Sequence, residues 1–114
     1  NFILPILDKN PLLYKFLPER LKMKKDITLS VLQKYPKMFK NAPIDLRSDR
    51  EIVLQVVMKD GLLLKHATDD IQGEEFIVMV AVTDNPNALR FASAELKSDK
   101  YFILGILEKM SASL

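Results

Sequence analysis

The side chains that could do chemistry in this chain are few. His66 is its one histidine and cysteine is absent, so no histidine-pair metal site, no thiolate centre and no serine, histidine and aspartate triad with a second candidate base can be assembled. His66 recurs 25 positions apart as Phe16, Asn41 and Phe91, a set that points to packing rather than to a ligand or base. The acidic pairs Asp69-Asp70 and Glu74-Glu75 are adjacent residues whose side chains diverge, and acids at helix starts complement the dipole. The three glycines form no phosphate-cradling loop. On these grounds the chain reads as non-enzymatic, with no catalytic residue, cofactor or metal.

Positive charge is what remains. Lys15, Lys40, Lys65 and Arg90 stand 25 residues apart, so a regular stack of units would align them as a ladder with rungs about 10 Å apart. Such a ladder either pairs with Asp45, Asp70 and Glu95 or shields helix C-terminal carbonyls, or else it offers a surface to an acidic peptide, a lipid headgroup or a nucleic acid. Residues 1–47 carry ten basic against four acidic residues, a net +6 that leaves −4 for the rest of a chain whose total is +2. Arg20, Lys22, Lys24 and Lys25 concentrate this basic end, which suits docking on an acidic partner. Aromatic residues for base stacking are scarce there, which weighs against sequence-specific nucleic-acid recognition.

The elements that must hold these residues follow from the same period. Phe2, Ile27, Ile52, Ile77 and Phe102 form one apolar column, and Leu7, Leu32, Val57, Val82 and Leu107 another. Tyr14, Phe39, Leu64 and Leu89 form a third, and Leu21, Leu46, Ile71 and Leu96 a fourth. Pro11, Pro36, Gly61 and Pro86 keep the same register at a turn. Self-similarity of this length is the mark of stacked repeats, none of which buries its apolar face alone. The predicted fold is an all-α, solenoid-like stack of two-helix repeats, right- or left-handed. Its units are 1–22 (partial), 23–47, 48–72, 73–97 and 98–114 (partial), within one domain. With 114 residues the chain is too short for two cores.

In the unit 48–72, Ser48 and Glu51 read as a capping box starting a three-turn helix near Asp49, and Gly73 and Ser98 as the next caps. A second helix is predicted from the proline or glycine corner, with Leu64, Ala67 and Ile71 on one face. Exposed positions between apolar columns, Asp8, Gln33, Met58, Thr83 and Glu108, are where specificity for a partner would reside.

The run Ser48-Asp49-Arg50-Glu51-Ile52-Val53-Leu54, with Asp60-Gly61, Leu64 and Ala67-Thr68 after it, resembles a helical tandem-repeat family of unknown function. That family occurs in protist proteins and in Legionella-type secreted proteins. The pattern returns at Ile77 to Val82, Asn85, Pro86, Leu89, Ala92 and Ser93, and more weakly in the first two units, where Pro5 and Thr28 intrude. The resemblance implies an accessory or effector domain, cytosolic in its host, and no catalytic residue. The two readings of function are therefore a scaffold or protein-interaction module and an anion-binding module for a phosphoinositide headgroup or RNA. No segment approaches the roughly 20 apolar residues of a membrane span, and the apolar start lacks the basic lead of a signal peptide. A register cut mid-unit, and a chain that does not begin with Met, read as a fragment with further repeats or a neighbouring domain beside it.

Overall fold

A computed structural model describes residues 2–112, all of whose regular elements are helical. Long helices α1 (Ile3–Lys9), α3 (Lys25–Lys34), α5 (Arg50–Lys59), α7 (Glu75–Asp84) and α9 (Lys100–Ala112) recur in register. The 3-10 helices η1 (Pro11–Phe16), η2 (Pro36–Asn41), η3 (Gly61–His66) and η4 (Pro86–Phe91) follow the first four. Short helices α2 (Glu19–Lys22), α4 (Ile44–Arg47), α6 (Asp69–Gln72) and α8 (Ala94–Ser98) complete the units. Stacking gives a slab of 48 × 27 × 17 Å.

The first four long helices each end at one residue that leaves the helical region: Asn10, Tyr35, Asp60 and Asn85 have φ between −132° and −149°. Proline or glycine then opens the 3-10 helix, a position that in the proline units needs no backbone donor. Asp60 and Asn85 add side-chain caps, accepting from the amides of Leu62 at 3.1 Å and Asn87 at 3.0 Å.

The second helix of each unit is broken in two, which corrects the two-helix expectation. Leu17, Ala42, Ala67 and Ala92 are extended, with ψ between 149° and 159°, and separate the 3-10 from the short α-helix. The cause is explicit in two units, because Pro18 and Pro43 follow and a residue before proline avoids the α conformation. In the other two, Thr68 and Ser93 are extended at the same place. Their amides donate to the preceding short helix, Thr68 to Arg47 at 3.4 Å and Ser93 to Gln72 at 2.9 Å. The apolar face nonetheless survives the break, since Leu64, Ala67 and Ile71 are all buried.

The caps lie one residue later than expected. Asp49, not Ser48, caps α5, its Oδ1 accepting from the amides of Glu51 at 2.9 Å and Ile52 at 3.2 Å. Ser48 instead closes α4, donating to the Ile44 carbonyl and bonding the hydroxyl of Thr68, just before α6. Gly73 likewise ends α6, Glu74 stands at the start of α7, and Asp99 rather than Ser98 caps α9. The carboxylates of Asp49 and Asp99 each accept two amides and complement the positive end of the dipole, whereas Glu74 makes no such side-chain bond.

Ile27, Ile52 and Ile77 are fully buried between successive long helices, as are Tyr14, Phe39 and Leu64 beneath the 3-10 helices. The matching Phe2 of the first unit is 79% exposed, because within the described residues no unit lies before it.

Candidate interaction surfaces

The four rungs Lys15, Lys40, Lys65 and Arg90 occupy the last turns of η1 to η4 and are all exposed. The pairing with Asp45, Asp70 and Glu95 considered for them does not occur. Among the described residues the side-chain ion pairs join Lys25 to Asp49 (3.0 Å) and Glu51 (2.7 Å), Lys34 to Asp8 (3.6 Å), and Arg50 to Glu74 (2.7 Å). Lys15 and Arg90 instead lie 5.2 and 5.3 Å from the ring centres of Phe16 and Phe91.

Shielding of carbonyls falls to a different column, Lys22, Arg47, Gln72 and Lys97, at the ends of the short helices. Lys22 Nζ donates to the Lys15 carbonyl at 3.1 Å and Lys97 Nζ to that of Arg90 at 3.3 Å. Gln72 Nε2 donates to Leu64 at 3.0 Å. Arg47 reaches further, with Nε on Ala42 at 3.0 Å and Nη1 on His66 of the next unit at 3.2 Å. A 3-10 helix that stops at an extended residue leaves carbonyls without helical partners, and this column satisfies them. Sequence reasoning missed it because lysine, arginine and glutamine share no charge rule, only a long side chain ending in a donor. The column itself was legible at the 25-residue spacing.

Of the basic cluster, Arg20 and Lys24 are exposed, whereas Lys22 and Lys25 are engaged. Lys22 also lies 5.6 Å from the Tyr14 ring centre. Hydrogen bonds to Glu51 and Asp49 raise the Lys25 ammonium above its ordinary pKa. Partial burial pushes the Asp49 carboxyl up, but Lys25 and the amides of Ile52 and Glu51 outweigh it and hold the group below the usual range. Lys25 thus ties the second unit to the third, as Arg50 ties the third to the fourth, and neither is spare for a ligand.

His66 is half-buried, and burial together with Lys65, Arg47 and Lys40 lowers its pKa. Burial is the largest of these influences, ahead of the three cations. Among the described residues no three His, Cys, Asp or Glu side chains converge as metal ligands. No helix among them is long and apolar enough to cross a membrane.

The exposed long-helix face carries two adjoining open grooves. One, of about 580 Å³, is lined by Gln33, Gln55, Met58 and Lys59. The other, of about 320 Å³, is lined by Met58, Val80, Thr83, Asp84 and Lys109. Gln33, Met58 and Thr83, named from the sequence as a variable column, are therefore brought together, and Met58 stands 66% exposed where the grooves meet. A third opening, of about 560 Å³ between α4 and α6, is lined by polar groups including Asp45, Arg47, Ser48 and Asp70.

Comparison with known families then gives three overlapping matches, to residues 1–47, 24–72 and 49–97, all to a domain of unknown function, DUF4116. The chain belongs to this family. Successive matches begin about one repeat apart, so the DUF4116 pattern spans two of the stacked units seen here. No curated protein and no solved structure matches the chain. Membership in DUF4116 assigns no activity, so function has to be argued from the surfaces.

Proposed function

We propose that the chain is a non-enzymatic helical-repeat scaffold that docks another protein across its long-helix face. The observation that carries this reading is the pair of grooves sharing Met58, a flexible, polarisable side chain left exposed on a surface whose other long helices supply Gln33 and Thr83. Exposed apolar residues at both ends of the stack, Phe2 just before α1, Ile6 on α1, and Leu104 and Leu107 on α9, suit contact with further repeats or a neighbouring domain. The resemblance to repeats of secreted bacterial proteins makes a host cytosolic protein the partner to look for first.

A photo-crosslinking residue at position 58 of the protein, expressed in the cytosol of a host cell, tests this. A discrete adduct is expected, and Thr83→Arg should abolish it while leaving the circular dichroism spectrum unchanged. An adduct that persists with Thr83→Arg, or none above the yield from a label at Lys97, overturns the groove as a docking site.

A second reading, anion binding, is favoured by the ladder cations, because none of Lys15, Lys40, Lys65 and Arg90 is paired with a carboxylate among the described residues.

A further inference from the structure

A 3-10 helix has three residues per turn, so side chains at i and i+3 eclipse and share one face. In η1 and η3 the first and fourth residues are buried, Pro11 with Tyr14 and Gly61 with Leu64, and in η2 the fourth, Phe39, is buried, whereas in η4 the buried residue is Ala88. The second and fifth residues are exposed together in all four helices. They are Leu12 with Lys15, Lys37 with Lys40, Leu62 with Lys65, and Asn87 with Arg90, all exposed.

Because η1, η2, η3 and η4 pack in sequence against one another, these pairs join into one strip along an edge of the slab. The strip holds five cations, two leucines, one asparagine and no carboxylate. Leu12 is 52% exposed, and Phe16, 74% exposed, flanks it beside Lys15.

This composition discriminates between anions. A soluble polyanion is recognised by charge, with aromatic faces where bases stack, and exposed leucines add nothing to that contact. Leucines set among lysines suit the boundary of a bilayer, where long basic side chains reach the headgroups and apolar groups enter the acyl layer. A strip that runs along the edge of a slab 17 Å thin also presents a long row of contacts to a surface rather than a pocket for a single headgroup. We propose that this strip docks the chain peripherally on an anionic bilayer surface, its five cations at the headgroups and Leu12, Leu62 and Phe16 below them. The proposal rests on the anion-binding reading and adds the bilayer to it.

Vesicle flotation of the full chain tests it, with phosphatidylcholine vesicles containing or lacking a minority of phosphatidylserine. Binding is expected only to the anionic vesicles and is lost at high salt. Lys37→Glu, Lys40→Glu and Lys65→Glu together should weaken it by about 100-fold or more. Leu12→Ser with Leu62→Ser leaves the charge unchanged. It should weaken vesicle binding about tenfold while leaving retention on heparin unaltered. Both sets change exposed residues, and an unchanged melting temperature verifies the fold. Vesicle binding indifferent to the leucines, or heparin and RNA binding without vesicle binding, overturns the bilayer proposal and leaves anion binding standing. Binding to none of the three overturns both.

Discussion

Gly61→Pro, which installs the residue found at the same place in the other three units, should destabilise the chain by about 4 kcal/mol or more, read from urea unfolding. Two independent losses add up to that figure. A Cβ at position 61 would overlap the backbone carbonyl oxygen of Ala81 and crowd its carbon, so α7 and η3 would have to separate. The Gly61 amide also donates to Asp84 Oδ2 at 2.8 Å, a charge-assisted bond that proline cannot make. Gly61→Ala keeps the amide and should cost about 2 to 3 kcal/mol from the overlap alone. Replacing Pro86 by glycine, the reverse exchange one unit on, should change stability by no more than about 1 kcal/mol. A Gly61→Pro chain as stable as the parent would contradict the close approach of these two elements.

Thr28→Val should be costly although it restores the β-branched apolar residue of its column. Thr28 and Tyr14 are both fully buried, and Tyr14 Oη lies 2.7 Å from Thr28 Oγ1. The threonine hydroxyl donates to the Lys22 carbonyl at 2.8 Å, so the tyrosine must be the donor in the first bond. Burial is also what raises the Tyr14 pKa, which keeps the phenol protonated and donating. Valine at 28 strands a buried phenol and a carbonyl together, at about 2 to 3 kcal/mol. Adding Tyr14→Phe to Thr28→Val removes the stranded phenol and should recover at least about 1 kcal/mol, a coupling that a double-mutant cycle isolates. Strict additivity of the two substitutions would mean that the hydroxyls do not depend on each other.

Both cases show what the period does and does not reveal. Columns such as Ile27, Ile52 and Ile77 are read directly, because burial between identical neighbours demands one type of side chain, repeated. What escapes is compensation between columns. Gly61 departs from proline, Ala81 from Val31, Val56 and Ile106, and Asp84 from Lys9, Lys34 and Lys59, and each looks like drift when its column is read alone. In the fold the three meet: two small residues let backbones touch, and the acid receives the amide that the glycine alone among the four corners possesses. Tyr14 and Thr28 are the same kind of pair, and Thr28 read as an intrusion for the same reason. The break in the second helix was hidden differently. The spacing of Leu64, Ala67 and Ile71 fits a continuous helix, and an extended residue preserves their burial while changing the backbone. For the candidate surfaces, the ladder and the Met58 column were visible as exposed positions. Which cations are spare depended on reach: Lys22 and Lys25 bend onto neighbours at distances that no spacing rule predicts.

The central claim is that successive units add in one direction, so that a column in the sequence is a row in space. The chain contains no cysteine, so pairs of spin labels can be placed without background. Pulsed dipolar distances should be measured for Lys15→Cys with Lys65→Cys and for Lys15→Cys with Arg90→Cys. At helix-packing spacing the account predicts about 20 Å for the first pair and about 30 Å for the second, each a single distribution. A second distance equal to or shorter than the first would contradict the stack, and with it the ladder and the strip.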